Sequence, residues 1–166
     1  YAFTGGEAMT IKAIQNKIAE QAEGYPEPLL VELTGGEPLL QKETPALMTA
    51  LCDAGFTVLL ETSGAHDISE IDPRVHRIVD LKCPSSGECE QNLYSNLEHL
   101  RPGDEVKFVI GTREDYQWAS EHLRKINGRC EALFSWVNPL TPAQQSDVLK
   151  PVPADHTPIT RQQLAE

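Results

Sequence analysis

Leu29-Leu-Val-Glu-Leu-Thr-Gly-Gly-Glu-Pro-Leu-Leu40 is the stretch from which the fold follows. Its first five residues form a short apolar run, read as a buried strand. Thr34-Gly-Gly-Glu-Pro38 then stops it. Gly35 and Gly36 permit backbone conformations closed to other residues and let a ligand approach the main chain. Pro38 fixes the turn into whatever follows. A strand, a glycine turn and a helix start in that order are the unit of a parallel α/β fold.

The same unit recurs on both sides. Upstream, Thr10 caps a helix with Ile11, Ile14, Ile18 and Ala22 on one face, stopped by Gly24 and Pro26. Downstream, Thr44 is the expected cap of a second helix, with Pro45 at its first position and Gly55 just past its end. Strands are expected at Phe56–Glu61, His76–Leu81, Glu105–Ile110 and Ala132–Val137, with a helix around Leu93, Leu97 and Leu100. Thr112 caps a further helix through Ile126, and Gly128 follows it. Thr160 and Gln163 have the spacing of a capping box. The segment Lys150–Pro158 holds three prolines and reads as a surface loop or linker. Five strands alternating with helices imply right-handed crossovers and a parallel sheet. An open doubly wound sheet and part of a (β/α) barrel both satisfy that count. No G-x-G-x-x-G follows any strand, which withdraws the usual support for a dinucleotide fold.

At 166 residues the chain is the size of one domain, read here as a single unit over 1–166. Asp and Glu outnumber Lys and Arg by 25 to 14, for a net charge of -11, which disfavours a nucleic-acid backbone as partner. No apolar run approaches the roughly 20 residues that span a bilayer. Four cysteines (Cys52, Cys83, Cys89, Cys130) without a C-x-x-C pair suit reduced thiols in a cytoplasmic protein. The first residue is Tyr1, and a helix start lies within a few residues of Glu166. The expectation is a fragment of a longer domain.

Ligands of parallel α/β folds bind at the carboxyl ends of the strands. Here those ends read Thr-Gly-Gly-Glu, Glu-Thr-Ser-Gly, Asp-Leu-Lys, Ile-Gly-Thr and Asn-Pro-Leu-Thr, each supplying hydroxyl, amide or charge. A polar ligand explains five such ends better than chance loops do. Glu37, if turned into the barrel mouth, needs a cationic partner such as a ligand ammonium. Glu61 and Lys82 are candidates to pair across the rim, and Lys107 sits on a strand with its direction open. The five histidines share no metal spacing, and nothing near Ser85 or Ser86 supports a nucleophile.

Leu33-Thr-Gly-Gly-Glu-Pro-Leu-Leu40 resembles the Gly-Gly-Glu-Pro motif of radical S-adenosylmethionine (SAM) enzymes. Asp80-Leu-Lys-Cys-Pro-Ser-Ser-Gly87, with the opening Tyr1-Ala-Phe-Thr-Gly-Gly6 and Glu105-Val-Lys-Phe-Val109, narrows the resemblance to the 7-carboxy-7-deazaguanine synthase family of queuosine biosynthesis. The resemblance implies a partial (β/α)₆ barrel of the radical SAM type. It implies a carbon–nitrogen lyase that converts 6-carboxy-5,6,7,8-tetrahydropterin to 7-carboxy-7-deazaguanine and ammonia, using SAM, a [4Fe-4S] cluster and Mg²⁺. A flavodoxin- or ferredoxin-type reductant and a homodimer go with it. Carried over by position, Gly35, Gly36 and Glu37 match the segment around the SAM methionine end, and Thr34 matches a substrate contact. Ser63, Asp80, Leu81 and Lys82 match further SAM contacts, as do Asn138, Pro139, Leu140 and Thr141.

The family's cluster cysteines and its Mg²⁺-binding Thr are expected upstream of Tyr1, and a last strand beyond Glu166. The polypeptide as given is therefore expected to be inactive alone, with no metal ligand among its own residues. Two other readings stand beside this one. One is a sibling radical SAM enzyme of the glycyl-radical activating type. The other is a cluster-free barrel that only binds SAM or a nucleotide.

Overall fold

A computed structural model describes residues 6–26, 28–138 and 153–166. Its centre is a five-stranded sheet, wholly parallel, in the order β1-β2-β3-β4-β5. The strands are β1 (Leu30–Leu33), β2 (Thr57–Thr62), β3 (His76–Leu81), β4 (Glu105–Ile110) and β5 (Glu131–Trp136). A doubly wound sheet reverses its strand order part-way and covers both faces. This order never reverses, so right-handed crossovers put every helix on the same side. The sheet is an arc of a (β/α) barrel, as the resemblance implied.

Side chains sort accordingly. Val58, Leu60, Val79, Leu81, Val106, Phe108 and Ile110 are buried in one cluster with Met48 and Leu51 of α2 (Thr44–Asp53) and Ala119 and Ile126 of α3 (Arg113–Ile126). The alternate residues face the concave side. Register sets Glu32 beside Leu59, Glu61 beside Ile78, Asp80 beside Lys107 and Glu105 beside both Ile78 and Glu131, so five strand carboxylates and the Lys107 ammonium share that face.

The helices start where their capping chemistry places them. Thr10 accepts from the Ala13 N–H at the start of α1 (Ile11–Ala22). Thr112 and Asp115 form a capping box on α3, and Asn127 ends it with φ of 52°. Thr160 and Gln163 cap the short α4 (Arg161–Ala165) in the same way.

Four expectations change. Among the described residues β1 lies at the edge of the sheet and is not buried, with Leu30 61% exposed. Thr44 lies inside α2, because its hydroxyl donates to the Pro38 carbonyl at 2.8 Å and Glu43 takes the cap position. The helix expected around Leu93 is a 3-10 turn at Tyr94–His99, where Asn96 bonds elsewhere in the chain. No helix separates β2 from β3. The proline-containing return also does more than link. Arg113 N–H donates to Thr157 O at 2.8 Å and Ile159 N–H to Gly111 O at 3.1 Å, laying residues 157–159 against the β4–α3 turn.

Candidate functional site at the carboxyl ends of the strands

The turn after β1 is held by Glu37. Gly35 has φ of 126°, a conformation that side chains resist. Beyond it the Glu37 carboxylate folds back toward β2. It accepts from the Leu39 N–H at 3.0 Å, the Thr62 hydroxyl at 3.0 Å, the Ser63 N–H at 2.8 Å and the Ser63 hydroxyl at 2.6 Å. Burial opposes the charge, but the donors of Ser63, Leu39 and Thr62 outweigh it and hold the carboxyl below its usual range. The partner that Glu37 needs is thus within the chain. Its carboxylate buckles the β1 turn to the end of β2, while the backbones of Gly35 and Gly36 make no hydrogen bond to the described residues. Ser63 donates its one hydroxyl hydrogen to Glu37 in a hydrogen bond, so toward a ligand it offers acceptor lone pairs only.

The next layer lies on the concave face. Thr34 donates its hydroxyl to Glu61 Oε2 at 3.0 Å, and Lys107 Nζ reaches Glu61 Oε1 at 2.6 Å. The Lys107 bond, resisted by burial and helped by Thr34, keeps the Glu61 carboxyl below its usual range. Lys107 is pushed up by Glu61, against burial, with Asp80 and Glu32 adding attraction. The pairing of Glu61 with Lys82 is therefore replaced. Lys82 instead donates to Asp80 Oδ2 at 2.6 Å, two residues back on the same face.

Asp80 is 9% exposed, and its Oδ1 has no hydrogen-bond partner among the described residues. A buried carboxylate oxygen left without a donor is costly and calls for one. Lys82 is fixed by Asn92, whose Oδ1 accepts the Lys82 N–H and whose Nδ2 donates to the Lys82 carbonyl, both at 2.9 Å. Leu81 packs wholly into the helix-side core, so it has only backbone to offer at the rim. Asn138 lies exposed just past β5. Pro139, Leu140 and Thr141 lie outside the described residues.

Three further polar residues shape the rim. Asn92 clamps Lys82. Asn96, fully buried, accepts the Ile68 N–H and donates to the carbonyls of Gly64 and His66, pinning the loop after β2. Asp115 takes the N–H groups of Ser85, Gly111 and Thr112 and the Ser85 hydroxyl, which joins the Pro84-Ser-Ser86 turn to the start of α3. The signal that could have found Asp115 is its place three residues after the Thr112 cap, where it closes a capping box. The two asparagines carry no local signature, since their partners are distant in sequence.

The four thiols are free, and burial raises each of them. They are spread over the fold, and among the described residues no group of three or more His, Cys, Asp or Glu suits a metal ion. Open clefts flank the sheet, one lined by Ile18, Tyr25 and Leu30 at the β1 edge and one by Phe134, Trp136 and Arg161 near β5. The second takes in Asn138, but neither reaches the Gly35–Gly36 turn, Ser63 or Asp80.

Comparison with known proteins adds the decisive observation. The chain is 39% identical to the 7-carboxy-7-deazaguanine synthase of Koribacter versatilis over 166 residues, covering 99% of this chain and 70% of that protein. The chain belongs to the 7-carboxy-7-deazaguanine synthase family. Its likeness to the 7-carboxy-7-deazaguanine synthase of Chlorobaculum tepidum is 42% over 139 residues, covering 81% of this chain and 61% of the relative. The 7-carboxy-7-deazaguanine synthase of Thermoplasma acidophilum is 30% identical over 150 residues, covering 89% and 66%. No family model matches. The chain thus spans about two thirds of the length of such synthases, and the match to the first takes in every strand end described above. Among the described residues no helix is long and apolar enough to cross a membrane.

Proposed function

We propose that this chain is the ligand-binding arc of an enzyme that converts 6-carboxy-5,6,7,8-tetrahydropterin to 7-carboxy-7-deazaguanine with loss of ammonia, a carbon–nitrogen lyase of queuosine biosynthesis. Family membership supports the reaction. The observation that carries the site is the pairing of unbonded Gly35–Gly36 backbone with the buried, donor-seeking Oδ1 of Asp80.

SAM fits those features. Its methionine end has an ammonium and a carboxylate, which match the carbonyls and N–H groups of Gly35 and Gly36. Its ribose hydroxyls and adenine amino group are donors, which match Asp80 Oδ1. When bound with the [4Fe-4S] cluster of the family, SAM supplies a carbon-centred radical for hydrogen abstraction. The described residues of this chain bind and orient. Glu37 fixes the glycine turn, Ser63 and the backbone of Leu81 line the rim, and Lys82 neutralises one side of Asp80. By the family resemblance Asn138, Pro139, Leu140 and Thr141 are assigned as further SAM contacts and Thr34 as a substrate contact. The cluster, Mg²⁺, a flavodoxin- or ferredoxin-type reductant, a homodimer and a cytoplasmic location belong to the same proposal for the full-length protein.

The test uses the full-length gene product, reconstituted anaerobically with iron and sulfide and supplied with SAM, Mg²⁺, dithionite and 6-carboxytetrahydropterin. Mass spectrometry is expected to find 7-carboxy-7-deazaguanine. Release of 5′-deoxyadenosine without that product would move the substrate assignment elsewhere. With a verified cluster, the absence of both would remove the reaction.

A further inference from the structure

The concave face holds a charged pair that the SAM rim does not use. Lys107 Nζ and Glu61 Oε1 meet at 2.6 Å near the middle of the sheet, with the side chains 27% and 28% exposed. An ion pair this accessible contributes little to stability, and apolar residues would pack a purely structural floor at least as well. Both groups remain open to a ligand. Among the described residues each Glu61 oxygen has one hydrogen-bond partner, Lys107 on Oε1 and Thr34 on Oε2, and a carboxylate oxygen has room for a second donor. Lys107 spends one of its three N–H donors on Glu61.

A carboxylate beside an ammonium offers acceptor, acceptor and donor in a row. The 2-amino-4-oxopyrimidine edge of a pterin presents the complement, with its 2-amino N–H, its N3–H and its O4. We infer that Glu61 and Lys107 read this edge of the substrate, with Glu61 taking the two N–H groups and Lys107 the O4. The inference rests on the function proposed above and adds its specificity determinant. Thr34, which donates to Glu61, becomes the link between this recognition pair and the Gly35–Gly36 turn. The pair also explains the surplus of acid on this face. Glu32, Glu61 and Asp80 surround one Lys107, a setting suited to a donor-rich heterocycle and hostile to an acceptor-rich one. A lumazine, with a carbonyl in place of the 2-amino group, would turn an acceptor toward Glu61 and be rejected.

The experiment measures binding in the full-length holoenzyme, using 6-carboxypterin and 6-carboxylumazine as fluorescent probes and SAM by calorimetry. Wild type is expected to prefer the pterin by about tenfold or more. Glu61→Gln, whose amide donates to a 2-oxo group, is expected to weaken the pterin by about tenfold and shrink or invert that preference, with SAM affinity held within about twofold. Lys107→Met serves as the second variant and is expected to weaken both probes, because both have an O4. Full retention of the pterin preference in Glu61→Gln, while wild type still turns over tetrahydropterin, would overturn this inference and leave the reaction intact. Wild type that binds neither probe and makes no product would overturn the reaction and this inference together.

Discussion

Glu37→Gln separates a structural role for the carboxylate from a direct bond to ligand. An amide has one acceptor oxygen where the carboxylate uses two. If that oxygen keeps the Ser63 N–H and hydroxyl, the amide nitrogen faces the Leu39 N–H, donor against donor. One bond is lost, costing about 1 kcal/mol at a half-buried site that water can reach. The two Ser63 bonds lose charge assistance, at about 0.5 kcal/mol each. The sum is about 2 kcal/mol, a fall in Tm of about 4–8 °C for a protein of this size. The pH dependence follows from the lowered carboxyl in the folded state. Stability from such a group is complete above the unfolded value, about 4.3, and is lost as pH falls through the lower folded value. The gap between wild type and Glu37→Gln is therefore expected to be full at pH 7 and to close below about pH 4. Calorimetric or fluorescence melts at both ends of that range decide the matter. Equal melting at pH 7, or a gap that does not change with pH, would refute the buckle.

Gly35→Ala is expected to lower the urea midpoint by the equivalent of about 1–3 kcal/mol. At φ of 126° an added Cβ meets nothing within 4 Å, so backbone strain is its sole cost, and an unchanged midpoint would mean that the turn relaxes freely. Asp104→Asn is expected to destabilise by about 3–5 kcal/mol, read by chemical denaturation. Asp104 accepts the Arg77 and Arg101 N–H groups and lies 2.8 Å from the buried Arg77 guanidinium at the opposite end of the sheet from the site. Asn92→Ala releases both backbone bonds of Lys82 and is expected to weaken SAM binding by about fivefold or more by calorimetry, on the scale of one hydrogen bond.

Much of this was legible in the sequence because its determinants are local. The Gly-Gly-Glu-Pro turn, the Thr112 and Thr160 caps and the strand His76–Leu81 each depend on residues a few positions apart. Strand order was not local. The five strands suited two architectures until the unreversed order settled on an arc. β1 read as buried because an apolar run has the same composition at an edge as at a centre. Glu37 read as awaiting a cation because Ser63 is 26 residues away and lends both its N–H and its hydroxyl only after β1 and β2 pair. Lys107 took the place expected of Lys82 for the same kind of reason. Sheet register brings a residue 46 positions distant to Glu61, and the alternation of a strand does not say which face is concave. Leu81 sits inside a rim motif yet points into the core, since neighbours on a strand face opposite ways.

Hydrogen exchange on the full-length protein, with and without SAM, tests most directly the claim that the carboxyl ends of the strands hold the cofactor. Slowed exchange is expected at the amides of Gly35 and Gly36 and at residues 80–82. The opposite end of the sheet, around Gly103 and Asp104, should not change. Protection at that opposite end, or none at Gly35 and Gly36 with SAM saturating, would contradict the account.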